Sequence, residues 1–335
     1  MQTESEGQYK MYDLISTGEI LIDFLDQSAG AKDTVAFLGA PGGAPCNALA
    51  QAAKLGRHCA FLGKVGEDMF GTFLKDFVAG LGIDTRYLLT TDEANTTLAF
   101  VKLDEGGDRS FSFYRKPGAD TLLSKEDIDP AFITDCGIFL YGSVSMSMEP
   151  ERSAVFYMLE LLQQQSCLRA YDPNLRFNLW SSREDARHFA LKGMEHADIL
   201  KLSEEEILFL SGKATIEEGI AHLMAKYPIK MVLATLGKYG CELFWSGKHQ
   251  RFYTYDTKTV DTTAAGDSFF GAFLSCLKGY NRSTLGELTF EQLSDMVDFA
   301  NAAGALTTSK KGAITSMPGE EEIRSCMVSV PKLIL

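Results

Sequence analysis

No stretch of this chain approaches the ~20 consecutive apolar residues that a membrane-spanning helix requires, and the polar start MQTESEGQYK lacks the apolar core of a secretory signal. A cytoplasmic location with no membrane partner is the expectation. A basic excess is missing too: 32 Lys and Arg stand against 45 Asp and Glu, a formal net charge of -13. A non-specific binder of nucleic acid or of an anionic surface needs a basic stripe, so small molecules are the expected partners. The seven cysteines form no CxxC pair and the five histidines show no ligand spacing, which points to reduced thiols and no zinc. The two common phosphate fingerprints are also missing. No GxGxxG occurs, and Gly63-Lys64, Gly212-Lys213, Gly237-Lys238 and Gly247-Lys248 are each followed by something other than Ser or Thr, so there is no Walker A loop.

What is present is a globular composition, 335 residues with 45% hydrophobic and 23% charged, enough for a large core. From about residue 137 short apolar runs alternate with amphipathic segments, the pattern of a parallel sheet with helices on both faces. Strands are expected at Ile138 to Gly142, Leu168 to Asp172, Ile199 to Leu202 and Met231 to Leu236. Helices are expected at Glu151 to Gln165, Glu184 to Glu195, Glu204 to Leu210, Asp267 to Lys278 and Phe290 to Thr307. Earlier, Leu98 to Leu103 and Ser110 to Arg115 read as a hairpin around Glu105-Gly106-Gly107-Asp108, with a second pair at Ile20 to Leu25 and Thr34 to Leu38. We expect residues 1–335 to be one domain, an α/β body carrying a small β-sheet lid from about 20–38 and 97–115.

The most informative stretch is Asp261-Thr262-Thr263-Ala264-Ala265-Gly266-Asp267, followed by an apolar helix whose Phe269 and Phe273 are four apart. A helix start leaves backbone N–H groups unpaired. Ala264, Ala265 and Gly266 carry almost no side chain, so an anion can approach those donors while the helix dipole favours its charge. Asp267 beside them can accept a proton from an attacking hydroxyl. Taken alone, the same residues also serve a plain capped and tightly packed helix.

Gly42-Gly43-Ala44-Pro45-Cys46-Asn47 together with Asp261 to Asp267 resembles the two signatures of the ribokinase-like (PfkB) kinase family, and the likeness runs from Tyr12 to about Arg324. The resemblance implies a three-layer α/β/α sandwich with a mostly parallel central sheet and a β lid. It implies Asp267 as catalytic base and Ala264, Ala265 and Gly266 as the anion hole, although many members have Gly where Ala264 stands. Thr235-Leu236-Gly237-Lys238-Tyr239-Gly240 resembles the nucleotide loop, which implicates Thr235, Gly237 and Gly240, and Asn301 corresponds to a residue beside the adenine. Leu202-Ser203-Glu204-Glu205-Glu206 resembles the NxxE motif, with Ser203 in place of Asn and Glu206 holding magnesium through water; Ser203 and Glu206 also make a capping box. A potassium site is implied at Asp261, Thr263, Thr307, Lys310, Gly312 and Ser316.

For the sugar, the resemblance implies Asp23, Gly42, Gly43 and Asn47. Phe113 to Asp120, carrying Arg115, and Tyr171 to Arg176, carrying Arg176, resemble fructokinases in particular. The expected reaction is transfer of the γ-phosphoryl of MgATP to the 6-hydroxyl of fructose. A 2-keto-3-deoxygluconate kinase, whose similar arginine meets a carboxylate, and then a ribokinase are the alternatives. An idle sugar-sensing homologue is the non-enzyme alternative, and an exposed lid sheet is a natural dimer surface.

Overall fold

The computed structural model describes residues 11–28, 33–103 and 109–334. Nine strands form the main sheet: β1 (Tyr12–Thr17), β4 (Cys59–Gly66), β5 (Leu88–Thr91), β8 (Cys136–Gly142), β9 (Leu168–Asp172), β10 (Ile199–Ser203), β11 (Met231–Thr235), β12 (Cys241–Trp245) and β13 (Lys248–Phe252). Their order is β13-β12-β11-β10-β9-β8-β1-β4-β5. All neighbours are parallel except β11 with β12 and β12 with β13. Both faces are covered, so central strands read as continuous apolar runs rather than alternating ones. On β8, Ile138 and Leu140 enter one core and Phe139 and Tyr141 the other.

The first core is closed by α1 (Ala44–Lys54), α2 (Met69–Gly80), α8 (Ala265–Cys276), α9 (Phe290–Thr308) and α10 (Glu320–Ser329), which contribute Leu49, Leu74, Phe273, Val297 and Ile323. The second is closed by α3 (Pro130–Thr134), α4 (Glu151–Leu161), α5 (Arg183–Met194), α6 (Glu204–Ser211) and α7 (Ile216–Lys226) through Phe132, Met158, Ala190, Ile207 and Leu223. The result is the expected three-layer sandwich. No described helix is long and apolar enough to cross a membrane.

The lid is a separate sheet of β2 (Leu21–Asp26), β3 (Phe37–Gly42), β6 (Leu98–Leu103) and β7 (Arg109–Tyr114) in the order β3-β2-β6-β7. Phe24 stacks on Phe100 at 5.0 Å, and Phe37 meets Phe100 edge-on at 5.0 Å. The strand expected at Thr34 to Leu38 runs three to four residues later. Gly39-Ala40-Pro41-Gly42 looks like a loop, but β3 is an edge strand, where a proline costs no ladder bond. A Cβ at Gly39 would lie 2.9 Å from the Phe24 ring, so close ring packing demands the glycine. The turn at Glu105-Gly106-Gly107-Asp108 lies outside the described residues. The early chain also holds β1, β4 and β5, which join the main sheet and were not expected.

Candidate active site

Two cavities meet at the start of α8. The first, about 280 Å³, is lined by Asp23, Gly43, Asn47, Arg176, Lys201 and Asp267 among others, and the second, about 390 Å³, by Thr235, Gly237, Gly240, Phe269, Asn301 and Gly304 among others. Thr262, Ala265 and Gly266 line both. A group passing between the cavities must therefore cross the N-terminal amides of this helix.

The helix begins at Ala265, two residues before the sequence-based start, with Ala264 as its N-cap in the left-handed region at φ 58°. That conformation strains a residue with a Cβ and explains why relatives with glycine here would adopt it readily. Ser268 N–H already reaches Ala264 O at 2.8 Å, while the amides before it sit in the turn that helix geometry leaves without intrahelical acceptors. Asp267 stands on that first turn and accepts a hydrogen bond from Asn47 Nδ2 at 2.8 Å. Behind it, Ser268 Oγ donates to Gln51 Oε1 at 2.8 Å and Thr307 Oγ1 donates to Ser268 Oγ at 2.8 Å, fastening α8 to α1 and α9. Burial raises the Asp267 pKa; Lys201 opposes, Asp172 adds to the rise, and Asn47 and Arg176 oppose it. The carboxyl therefore binds a proton more readily than a free aspartate does.

Lys201 is the main residue the sequence reading missed. It lies on the same face of β10 as Ile199, toward α8, and its Nζ is 2.6 Å from Asp172 Oδ2 with both side chains 9% exposed. A Cβ at Gly266 would lie 3.4 Å from its Nζ, so the ammonium sits over the helix start. Burial works against its charge, but Asp172, then Asp267 and Glu206, outweigh it and raise the pKa. A lone lysine inside the apolar run Ile199-Leu200-Lys201-Leu202 was the available signal, because a buried ammonium needs a partner.

On the lid side, Gly42 and Gly43 are glycines for two separate reasons. A Cβ at Gly42 would lie 2.0 Å from Asp23 Oδ2, and one at Gly43, which has φ 114°, would lie 2.3 Å from Glu19 O. Asn47 is buried with no hydrogen-bond partner for its Oδ1 among the described residues. Glu19, also missed from the sequence, lines this cavity and accepts from Ala44 N–H at 3.2 Å, and burial pushes its pKa up to about 7 despite the nearby Arg115 charge.

Arg115 and Arg176, each carried by a stretch that resembles fructokinases, have different surroundings. Arg115 is 3% exposed; its Nε meets Asp120 Oδ2 at 2.7 Å, its Nη2 meets Glu151 Oε2 at 2.9 Å, and its Nη1 donates to Ser147 Oγ at 2.7 Å. These bonds hold the end of β7 on the body, and Arg115 still lines the first cavity. Arg176 donates from Nη1 to Leu175 O at 3.3 Å and is half-buried along the cavity.

The residues of the stretch that resembles a nucleotide loop come together with two others: Ser203, Thr235, Gly237, Gly240 and Asn301 all line the second cavity. Gly240 has φ 90°, and a Cβ there would lie 2.0 Å from Phe252 O. Asn301 Nδ2 donates to that same carbonyl at 3.3 Å.

The ion-site residues are only partly gathered. Asp261, Thr263 and Gly312 come together, with Thr263 N–H and Oγ1 donating to Asp261 Oδ1 at 2.9 and 2.7 Å and Gly312 N–H to Asp261 Oδ2 at 3.2 Å. Ser316 Oγ donates to Gly312 O at 2.7 Å. Thr307 is buried against Ser268, and Lys310 pairs with Glu322 at 2.8 Å, both outside the cavity linings. Glu206 also stands outside them. It accepts from Ser203 N–H and Oγ at 2.9 Å each and from Leu175 N–H at 2.8 Å, so the capping box forms. Those three bonds leave one of a carboxylate's roughly four acceptor positions, which fits a hydrated magnesium held through water and not an ion gripped directly.

Residues 11–320 match the pfkB family carbohydrate kinase model. Fructokinase-1 of Zea mays is 40% identical over 312 residues, covering 92% of this chain and 96% of that protein. A fructokinase from Xylella fastidiosa with bound ATP superposes with a TM-score of 0.88 at 33% identity, covering 95% of this chain and 98% of the other. A fructokinase from Vibrio cholerae O395 with fructose, ADP and a calcium ion gives 0.85 at 32% identity, covering 95% and 99%, and a double mutant of it holds fructose, ADP and a potassium ion.

Proposed function

Because the chain belongs to the pfkB family of carbohydrate kinases, we propose that it is an ATP-dependent fructokinase acting on the 6-hydroxyl of D-fructose, with sugar in the first cavity and nucleotide in the second. The observation that carries this is the shared wall: Ala265 and Gly266 line both cavities, where a transferred phosphoryl group has to pass. Asp267 takes the hydroxyl proton, the α8 amides and the Lys201 ammonium face the charge on the transferring group, and the lid covers the sugar. Magnesium, when bound, draws charge from the phosphate oxygens. The sugar cavity is lined by Glu19, Asp23, Asp261 and Asp267 and also by Arg115, Arg176 and Lys201; with Arg115 paired to Asp120 and Glu151 and Lys201 to Asp172, no cationic excess is left for a sugar acid, which supports a neutral polyol. A coupled assay with fructose, 2-keto-3-deoxygluconate and ribose tests this. Fructose should give the highest kcat/KM; a preference for the keto acid would reassign the substrate, and no ATP consumption with any sugar would leave the idle sensor.

Finer parts belong to the same proposal. Residues 1–335 act as one kinase domain, with magnesium held through the Glu206 hydration shell and potassium near Asp261, Thr263 and Gly312. Equal turnover in sodium-only and potassium buffers would remove the potassium site. Val35, Leu38 and Tyr114 of the lid region are 78%, 60% and 67% exposed, which supports a homodimer through the lid, and Leu38→Lys should shift its mass toward the monomer in light scattering. Seven free cysteines, six of them buried, support a reducing compartment such as the cytoplasm.

A further inference from the structure

The second cavity has a wall that comes from beyond the segment matched to the family. That match ends at residue 320, α10 follows, and the chain then turns back along residues 254–256. Asp256 N–H donates to Pro331 O at 2.9 Å, Leu333 N–H donates to Thr254 O at 2.8 Å, and Tyr255 pairs with Lys332 as an antiparallel bridge. Lys332 Nζ is 2.5 Å from Asp298 Oδ1 on α9 and lies over the Tyr255 ring, 3.9 Å from its centroid. Successive residues of an extended segment point to opposite sides. Lys332 thus clamps the segment to α9, and Leu333, half-buried, lines the cavity beside Tyr255, Phe269 and Asn301. Ile334, one residue on, is 76% exposed.

This wall continues into the backbone at residues 252–254. Thr254, which accepts from Leu333, has its own N–H beside Gly240, where a Cβ would lie 2.9 Å away, and Asn301 reaches Phe252 O two residues earlier. The amides that suit phosphate belong to Ala265 and Gly266, so the part of a nucleotide that meets an apolar Leu333 is the flat base.

We propose that residues 331–333 form a wall of the nucleotide site and that Leu333 packs against the base of bound ATP, setting nucleotide affinity without touching the chemical step. This rests on the reading of the second cavity as the nucleotide site. It gives the tail a specific job that a merely packed terminus would not have.

Steady-state kinetics of the full chain carrying Leu333→Ala, Leu333→Met, Thr259→Trp, or a stop after Val330 tests it. Thr259 is exposed on the rim of the same cavity, so a tryptophan there narrows the site without disturbing the core. Leu333→Ala should raise the KM for ATP about threefold to tenfold while kcat and the fructose KM stay within about twofold. Leu333→Met should restore it, the stop should raise it further, and Thr259→Trp should raise it as well. If Thr259→Trp weakens ATP and both tail changes leave it alone, the tail inference is overturned and the site reading stands. If none of them changes the ATP KM, the assignment of the cavity fails and the inference fails with it. If Leu333→Ala lowers kcat and raises both KM values together with a falling melting temperature, the tail is structural and the inference is overturned.

Discussion

The two cavities on either side of Ala265–Gly266 are built from opposite materials. The sugar side is made of charged and amide side chains brought from distant parts of the chain: Glu19 and Asp23 from the lid junction, Asn47 from α1, Lys201 from β10 and Asp267 from α8. The nucleotide side is lined mainly by small and hydroxyl-bearing residues, glycines, alanines and threonines, drawn for the most part from residues 235–240, 254–269 and 301–308, with Lys238 as its one lysine or arginine and no Asp or Glu among the described residues. On the proposed reading, the difference sets where the chemistry is controlled. Backbone donors hold phosphate with no titratable group and little strain, whereas the proton transfer depends on buried charges whose values are set by one another. Changes on the sugar side should therefore alter pH dependence and turnover, and changes on the nucleotide side should alter ATP affinity alone.

The largest expected effect on stability concerns Glu19. Its carboxyl is pushed up to about 7 from an ordinary 4.5, a difference worth about 3 kcal/mol. For a carboxyl raised in the folded state the cost is absent below the unfolded value, grows as pH rises, and is complete above the folded value. Glu19→Gln should accordingly gain stability of that order above pH 7, and its melting temperature should fall less than that of the parent between about pH 4.5 and 7. Melting curves that run parallel across this range would show that Glu19 is not the strained group.

Lys201→Met comes next. Removing the ammonium over the helix start should lower kcat about 100-fold, near 2.7 kcal/mol, and move the acid limb of the kcat profile to higher pH, since Lys201 holds the Asp267 pKa down. An unchanged acid limb would separate Lys201 from the base. Gly240→Ala, on the other side, should raise the ATP KM about tenfold, near 1.4 kcal/mol, because its Cβ would meet Phe252 O at 2.0 Å. The fructose KM should stay put; a shift in it would blur the division between the two sides.

The same division explains what could be read in advance. The nucleotide side and the α8 start are local, so Thr235 to Gly240 and Asp261 to Asp267 announce themselves as contiguous runs, and the strands and helices that were expected after residue 137 form within a few residues of their expected bounds, whereas α7, β12, β13 and α10 were not expected. Strand β3 was misplaced because its Gly and Pro residues are tolerated only at a sheet edge, a fact of tertiary structure. Arg115 gave no local sign that Asp120 and Glu151 would consume it, since Glu151 lies 36 residues away. Lys201 showed only as a lone charge in an apolar run, and Glu19 and the tail at Leu333 acquire their places through packing between elements, which no spacing in the chain reports.

Kinetics of Asp267→Asn tests the account most directly. Loss of the base at the junction of the two cavities should lower kcat by about 100-fold to 10,000-fold while the ATP KM holds. The protein should melt no lower than the parent near pH 7, because burial makes the ionised carboxylate costly in the fold. Turnover within about tenfold of the parent, a loss of only about 1.4 kcal/mol, would contradict the assignment of Asp267 as the base.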